Sequence, residues 1–317
     1  VSDWALAFNS PTTVTDVVAH PQEPSVLYVL TPQSLFKSSD AGVTYAKIAT
    51  NLAPPGGALA SIAVTNSSVY MGISGDPLGH SGTVAASSDD GGSFAIVASE
   101  PFVFTRLGVS LVTSTTVWAV SFPTPTDNAS VWVSSDSGQT WSAALTFSGN
   151  TQLLDVAVAP SDSGTVAACA ADETGAGRIS VTVDGGLVWT DGLVGPANVT
   201  ACAIDAVSSS SLVAFVQGEG VFTSGDGGGS WNLSGNGFPV GSAALRFRFA
   251  PSASGTVYSA TGGSGVVVSQ DFGADWFAAN FGLSQFSITS VAVDSVNPLL
   301  VYATDAVNVY RSTSGGR

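Results

Sequence analysis

Lysine is almost missing from this sequence of 317 residues: Lys37 and Lys47 are the only two, and 8 basic residues face 23 acidic ones. A nucleic-acid groove needs clustered cations to displace phosphate counterions, and the six arginines are scattered, so that partner is set aside. Histidine is as scarce, with His20 and His80 alone, and two isolated cysteines cannot form a zinc knuckle; no metal site is expected from these residues. No apolar run is long enough to cross a membrane as a helix. There is no starting Met and no leader sequence, so Val1 reads as a mature or processed end. Charge of either sign is short, at 10% of residues, and the net −15 reads as solubility for a protein with few charges.

What is abundant is a repeated phrase. It stands as S-S-D-S-G-Q-T-W from Ser134 to Trp141 and recurs from Ser38, Ser87, Thr182, Ser224 and Ser269. A worn seventh copy, S-T-S-G-G, begins at Ser312. The aspartates are Asp40, Asp89, Asp136, Asp184, Asp226 and Asp271, with Ser314 in the seventh place, spaced 42 to 49 residues apart. A near-constant period of this length means a repeat architecture. Chemically the phrase is a tight turn: Asp accepts from backbone N–H groups ahead of it, Gly takes positive φ, and the closing aromatic shields the hairpin.

Around each turn the chain predicts four strands. The first is a short apolar run, as in Val14–Ala19, Leu59–Val64, Phe104–Val109 and Ala244–Phe249, expected to be buried on both faces. The seventh unit stops before its fourth strand, whereas the chain opens with V-S-D-W-A-L-A-F. Residues Val1–Phe8 are therefore expected to supply the missing outer strand and close the ring. The fold class is all-β: a seven-bladed propeller of four-stranded antiparallel blades over residues 1–317.

The phrase resembles the Asp-box, or BNR, repeat of sialidases, xyloglucan-cleaving glycosidases, sortilin-type receptors and a photosystem II assembly factor. That resemblance implies that the box aspartates are turn formers on the rim and that a ligand site, if any, lies on the opposite face. Ala19–His20–Pro21 and Leu27–Tyr28 are similar to the xyloglucan-cleaving family. Its catalytic Asp position, however, corresponds to Thr31–Pro32–Gln33, which has no acid. Arg246 and Arg248 alternate along one strand and read as a structural salt link.

By elimination, the face away from the boxes carries Asp76, His80, Asp127, Asp172, Glu173, Arg178, Glu219, Asp305 and Asn308, with Glu100 between blades and Phe238 and Phe286 among its aromatics. It is acidic, with His80 and Arg178 its main exceptions. Pairs such as Asp172 or Glu173 with Glu219, or Asp76 with Asp305, would serve a glycosidase at about 5–5.5 Å or about 6.5–9.5 Å; solvated loop acids are the plainer reading. Clustered loop oxygens could also take calcium, although no contiguous calcium-loop pattern is present.

Four N-x-[ST] triplets, at Asn66, Asn128, Asn198 and Asn232, point to a secreted N-glycoprotein. Cys169 and Cys202 read either as buried free thiols or as one disulfide across neighbouring blades. The functional expectation is a noncatalytic extracellular binding or structural module meeting other proteins, glycans or copies of itself. The alternative is a carbohydrate-active enzyme, glycosidase or lyase, using the loop-face acids.

Overall fold

A computed structural model describes residues 3–50, 52–75, 82–100, 103–123, 128–149, 151–172, 174–195 and 197–317. They form seven four-stranded antiparallel sheets and no helix. The inner strands are Asp16–Ala19, Ala58–Val64, Phe104–Val109, Gln152–Val158, Val199–Ile204, Ala244–Phe249 and Ser290–Val293. Each packs beside the inner strands before and after it, and the seventh packs beside the first. The ring is therefore closed, and the fold is the expected propeller.

Apolar burial follows this geometry. Seven hydrophobic clusters occur, each shared by two adjacent blades. Tyr258 and Ala260 of blade six meet Val291 and Ala303 of blade seven, and Trp118 and Val120 of blade three meet Val156 and Val166 of blade four. Fully burying one of these valines contributes about 1.5–3 kcal/mol. Because every blade is needed on both sides, stability is shared around the ring.

The repeated turn does its own bonding. In the first copy Ser38 Oγ donates to Asp40 Oδ1 at 2.8 Å and accepts from the Gly42 N–H at 2.9 Å. Asp40 Oδ1 also accepts from the N–H groups of Val43 and Thr44 at 3.1 and 2.8 Å, and the Thr44 hydroxyl donates to Oδ2 at 2.6 Å. The backbone needs two successive left-handed residues, of which the second is always Gly: Ala41 and Gly42, Asp90 and Gly91, Ser137 and Gly138, Phe272 and Gly273. At Gly228 a Cβ would also lie 2.6 Å from Val181 of the preceding blade, so no other residue fits that contact. These hydrogen bonds hold the carboxyls of Asp40, Asp89, Asp136 and Asp226 down to about 2, with the hydroxyl four residues after each Asp the largest cause.

The seventh turn is assembled from both chain ends. The strand Ala5–Asn9 pairs antiparallel with Asn308–Ser312, Leu6 opposite Tyr310, as the outer strand of blade seven. Ser312 Oγ accepts from the N–H groups of Ser314 and Gly316, as in the other copies, but donates to the carboxylate of Asp3. Trp4, buried with Tyr310, donates its indole N–H to the Ala279 carbonyl at 2.7 Å. Asp3 and Trp4 thus supply the acid and the aromatic that residues 312–316 lack.

Candidate functional site

Strands in each blade run alternately, so the second-to-third loops and the blade connectors share the face away from the repeated turns. Asp76, His80, Asp127 and Glu173 lie outside the described residues. Asp172 is absorbed by its own loop: Oδ1 accepts from the Thr174 hydroxyl at 2.6 Å and the N–H groups of Thr174 and Ala176 at 2.8 and 3.0 Å. The Thr174 hydroxyl leads the causes that lower its pKa. Asp305 caps its loop likewise, accepting from the Val307 and Asn308 N–H groups at 2.8 and 2.7 Å and from Tyr310 Oη at 2.8 Å. Burial works to raise its carboxyl, and these donors, with the Asn308 side chain, outweigh it and keep it below the ordinary range. Arg178 lies 3.5 Å from Asp191 of its own blade and over the Phe147 ring. No hydrogen bond or ion pair joins Asp172, Glu219 and Asp305.

Glu219 has different surroundings. With Phe215, Phe238 and Val240 it lines a cavity of ≈ 640 Å³ between the second-to-third loop of blade five and the connector to blade six. Phe238 is wedged between Phe215 and Trp276, ring centres 5.5 and 5.3 Å away. Val240 and Leu233 at the rim are exposed, and Phe286 is exposed on the next connector.

The axis holds a cluster that the reading of inner strands as apolar runs missed. Seven positions are equivalent by strand register: Asp16, Ser61, Arg106, Asp155, Ala201, Arg246 and Ser290. In five blades a bulge immediately precedes the position, a device that re-aims a side chain. Arg246 of blade six reaches Asp155 of blade four at 3.1 Å and Asp16 of blade one at 3.5 Å, and all three are buried. Ser290 donates to Asp16 at 2.5 Å, and Asp155 also accepts from the N–H groups of Val156 and Cys202 at 3.1 and 3.4 Å. Burial would raise the Asp16 carboxyl, but Arg246, Arg248 and Ser290 outweigh it, so it stays ionised.

The salt link expected of Arg246 is present, and it spans the ring rather than one blade face. Arg248 makes no ion pair among the described residues and donates to the Phe247 carbonyl at 3.0 Å. The loop face thus has cations at its centre, Arg106 and Arg246, besides Arg178. A charge at the same place in four of seven otherwise apolar first strands was the available signal; it shows once the seven units are aligned.

Cys169 and Cys202 form a disulfide between blades four and five, Cα atoms 6.6 Å apart, beside Asp155. Among the described residues no group of three or more His, Cys, Asp or Glu could hold a metal ion, and no helix is long and apolar enough to cross a membrane.

No family description matches the sequence, and no curated protein matches it. Solved structures do. YCF48 bound to a D1 peptide aligns over 98% of this chain and 97% of its own, with TM-score 0.71 and 16% identity. YCF48 from Cyanidioschyzon merolae aligns over 98% of each chain, with TM-score 0.69 and 14% identity. The GH74 xyloglucanase from Xanthomonas campestris covers 99% of this chain with TM-score 0.76 and 15% identity, but this chain spans only 54% of that enzyme. The likeness shows the fold alone.

Proposed function

We propose that this propeller is a noncatalytic extracellular binding module that holds an extended segment of a protein partner on its loop face, at the Glu219 cavity. The observation that carries this reading is the cavity itself. It combines an aromatic wall, an exposed aliphatic rim and one carboxylate, which suits a peptide bearing an apolar side chain beside a basic one. The acidic surplus of the chain favours a basic segment over an acidic one. The ion pairs of Arg246 cross the throat of the ring, and the off-axis cavity is larger than the ≈ 320 Å³ opening beside them. That a structure of similar fold, YCF48, binds a D1 peptide supports a peptide ligand.

Secretion and N-glycosylation belong to the same proposal. Asn66, Asn128 and Asn232 are exposed, and an inter-blade disulfide suits an oxidising compartment. A mass loss on N-glycanase treatment of chain from a eukaryotic secretory host tests this part.

The binding reading is tested by selecting ligands from a random-peptide display library and measuring them by calorimetry. Selected peptides should pair an apolar residue with Lys or Arg. Glu219→Gln should weaken them about tenfold, or about 1.4 kcal/mol, and Val240→Asp should abolish the apolar preference. Peptides indifferent to both changes, or turnover of a polysaccharide by the same chain, would overturn the assignment.

A further inference from the structure

Three arginines and two aspartates meet at the axis: Arg106, Arg246 and Arg248 with Asp16 and Asp155. Arg246, Arg248, Asp16 and Asp155 are the charged neighbours of Arg106, and the two aspartates act on all three arginines. Three cations against two carboxylates leave one positive charge without a partner. Both carboxylates are already committed to Arg246, which sits between them.

Arg106 bears the surplus most plainly. It is largely buried, its Nε is buried with no hydrogen-bond partner, and its hydrogen bond is a long one, 3.4 Å, from Nη1 to the carbonyl of the preceding Thr105. Burial first, and then the neighbouring Arg246, pull its pKa down to about 10. A guanidinium presents five donors in a planar fork, so most of this one is idle. A buried cation with idle donors costs free energy unless a counter-charge meets it.

Space for that counter-charge adjoins it. A cavity of ≈ 320 Å³ opens where the inner strands begin, at the centre of the loop face, lined by Arg106, Arg246, Thr15, Thr200, Leu245 and Thr289. The hydroxyls of Thr15 and Thr289 donate to the Leu30 and Thr304 carbonyls at 3.1 and 3.2 Å, so guanidinium N–H groups are the donors that remain.

We propose that this axial mouth binds one small monoanionic carboxylate, held in a forked contact by Arg106 with Arg246 and the Asp16–Asp155 pair forming its floor. The charge count selects a monoanion over a phosphate dianion, and the planar fork selects a carboxylate over a spherical halide. The source is either a free organic acid or an acidic side chain of a docked protein. This site is separate from the Glu219 cavity and stands whether or not a peptide binds there.

The test is calorimetric titration of the whole chain at pH 7 and low chloride with three probes: sodium acetate, an end-blocked Gly-Glu-Gly peptide and inorganic phosphate. Acetate should saturate at one per chain and raise the melting temperature as it does so; a peptide binding more than tenfold tighter would assign the carboxylate to a protein partner. Arg106→Gln should abolish the heat, and Arg106→Lys, which keeps the charge but not the fork, should weaken binding about tenfold. Lys47→Gln, which removes a cation from an exposed outer strand, should leave it unchanged. Circular dichroism of each variant reports folding, and Arg106→Lys serves if Arg106→Gln does not fold. No saturable binding by acetate or the peptide to the folded chain, equal binding in the Arg106 variants, or phosphate binding as tightly as acetate would overturn the proposal.

Discussion

The rim and the axis of this ring are built from positions that recur once per blade, yet they are bonded in opposite ways. At the rim, six turns repeat nearly the same residues, and the Ser or Thr and Asp side chains of each bond within five residues, as Ser38, Asp40 and Thr44 do. At the axis, seven equivalent positions hold two aspartates, two arginines, two serines and an alanine, and Arg246 finds its partners 91 residues back and in the first blade. A turn that satisfies itself can be copied. A buried charge that must be answered from across the ring cannot, because seven identical charges would repel. Repetition marks scaffold here, and departure from it marks the place where the blades recognise one another.

If so, changes at the axis should cost far more than changes at the rim. Arg246→Met should cost most, about 3–5 kcal/mol by urea unfolding, because Asp16 and Asp155 stay buried and unpaired; adding Asp16→Asn and Asp155→Asn should restore much of it. Removing the disulfide beside Asp155 as Cys169→Ala with Cys202→Ala should cost about 2–4 kcal/mol in the same assay. At the seam, Asp3→Ala removes a partly exposed acceptor and should cost about 1 kcal/mol after allowing for solvent screening.

The rim should answer to pH instead. The carboxyls of Asp40, Asp89, Asp136 and Asp226 lie near 2 when folded, below their ordinary value of 3.8. Their contribution is therefore complete above about pH 4 and is lost as pH falls toward 2, which a melting-temperature series would trace. The smallest effect belongs to Val188→Thr. Asp184 lacks the hydroxyl donor four residues on that Asp40, Asp89, Asp136 and Asp226 have, and supplying one should move its carboxyl further down in an NMR titration.

The legibility of the fold follows the same division. The strands Phe104–Val109, Val199–Ile204 and Ala244–Phe249 and the closing outer strand were readable because turn chemistry and apolar runs are local signals. Asp16, Arg106 and Asp155 were not. Each looks like an isolated charge at the head of a strand, and its meaning depends on which blades face one another across the ring. Glu219 was singled out as a loop acid, but its aromatic wall comes from a connector whose path no periodicity describes. Asp172 and Asp305 looked equally available and are spent on their own loops.

The split seventh turn sets an order of events during synthesis. Six blades can acquire their turns as each emerges from the ribosome, but Asp3 and Trp4 must wait for Ser312 and Gly316 before theirs exists. Until then the nascent chain is an open arc with bare flanks at both ends, the form most exposed to pairing with another molecule. Fastening the arc at a turn shared between residues 3–4 and 312–316 ties the completed ring to the arrival of its seventh blade.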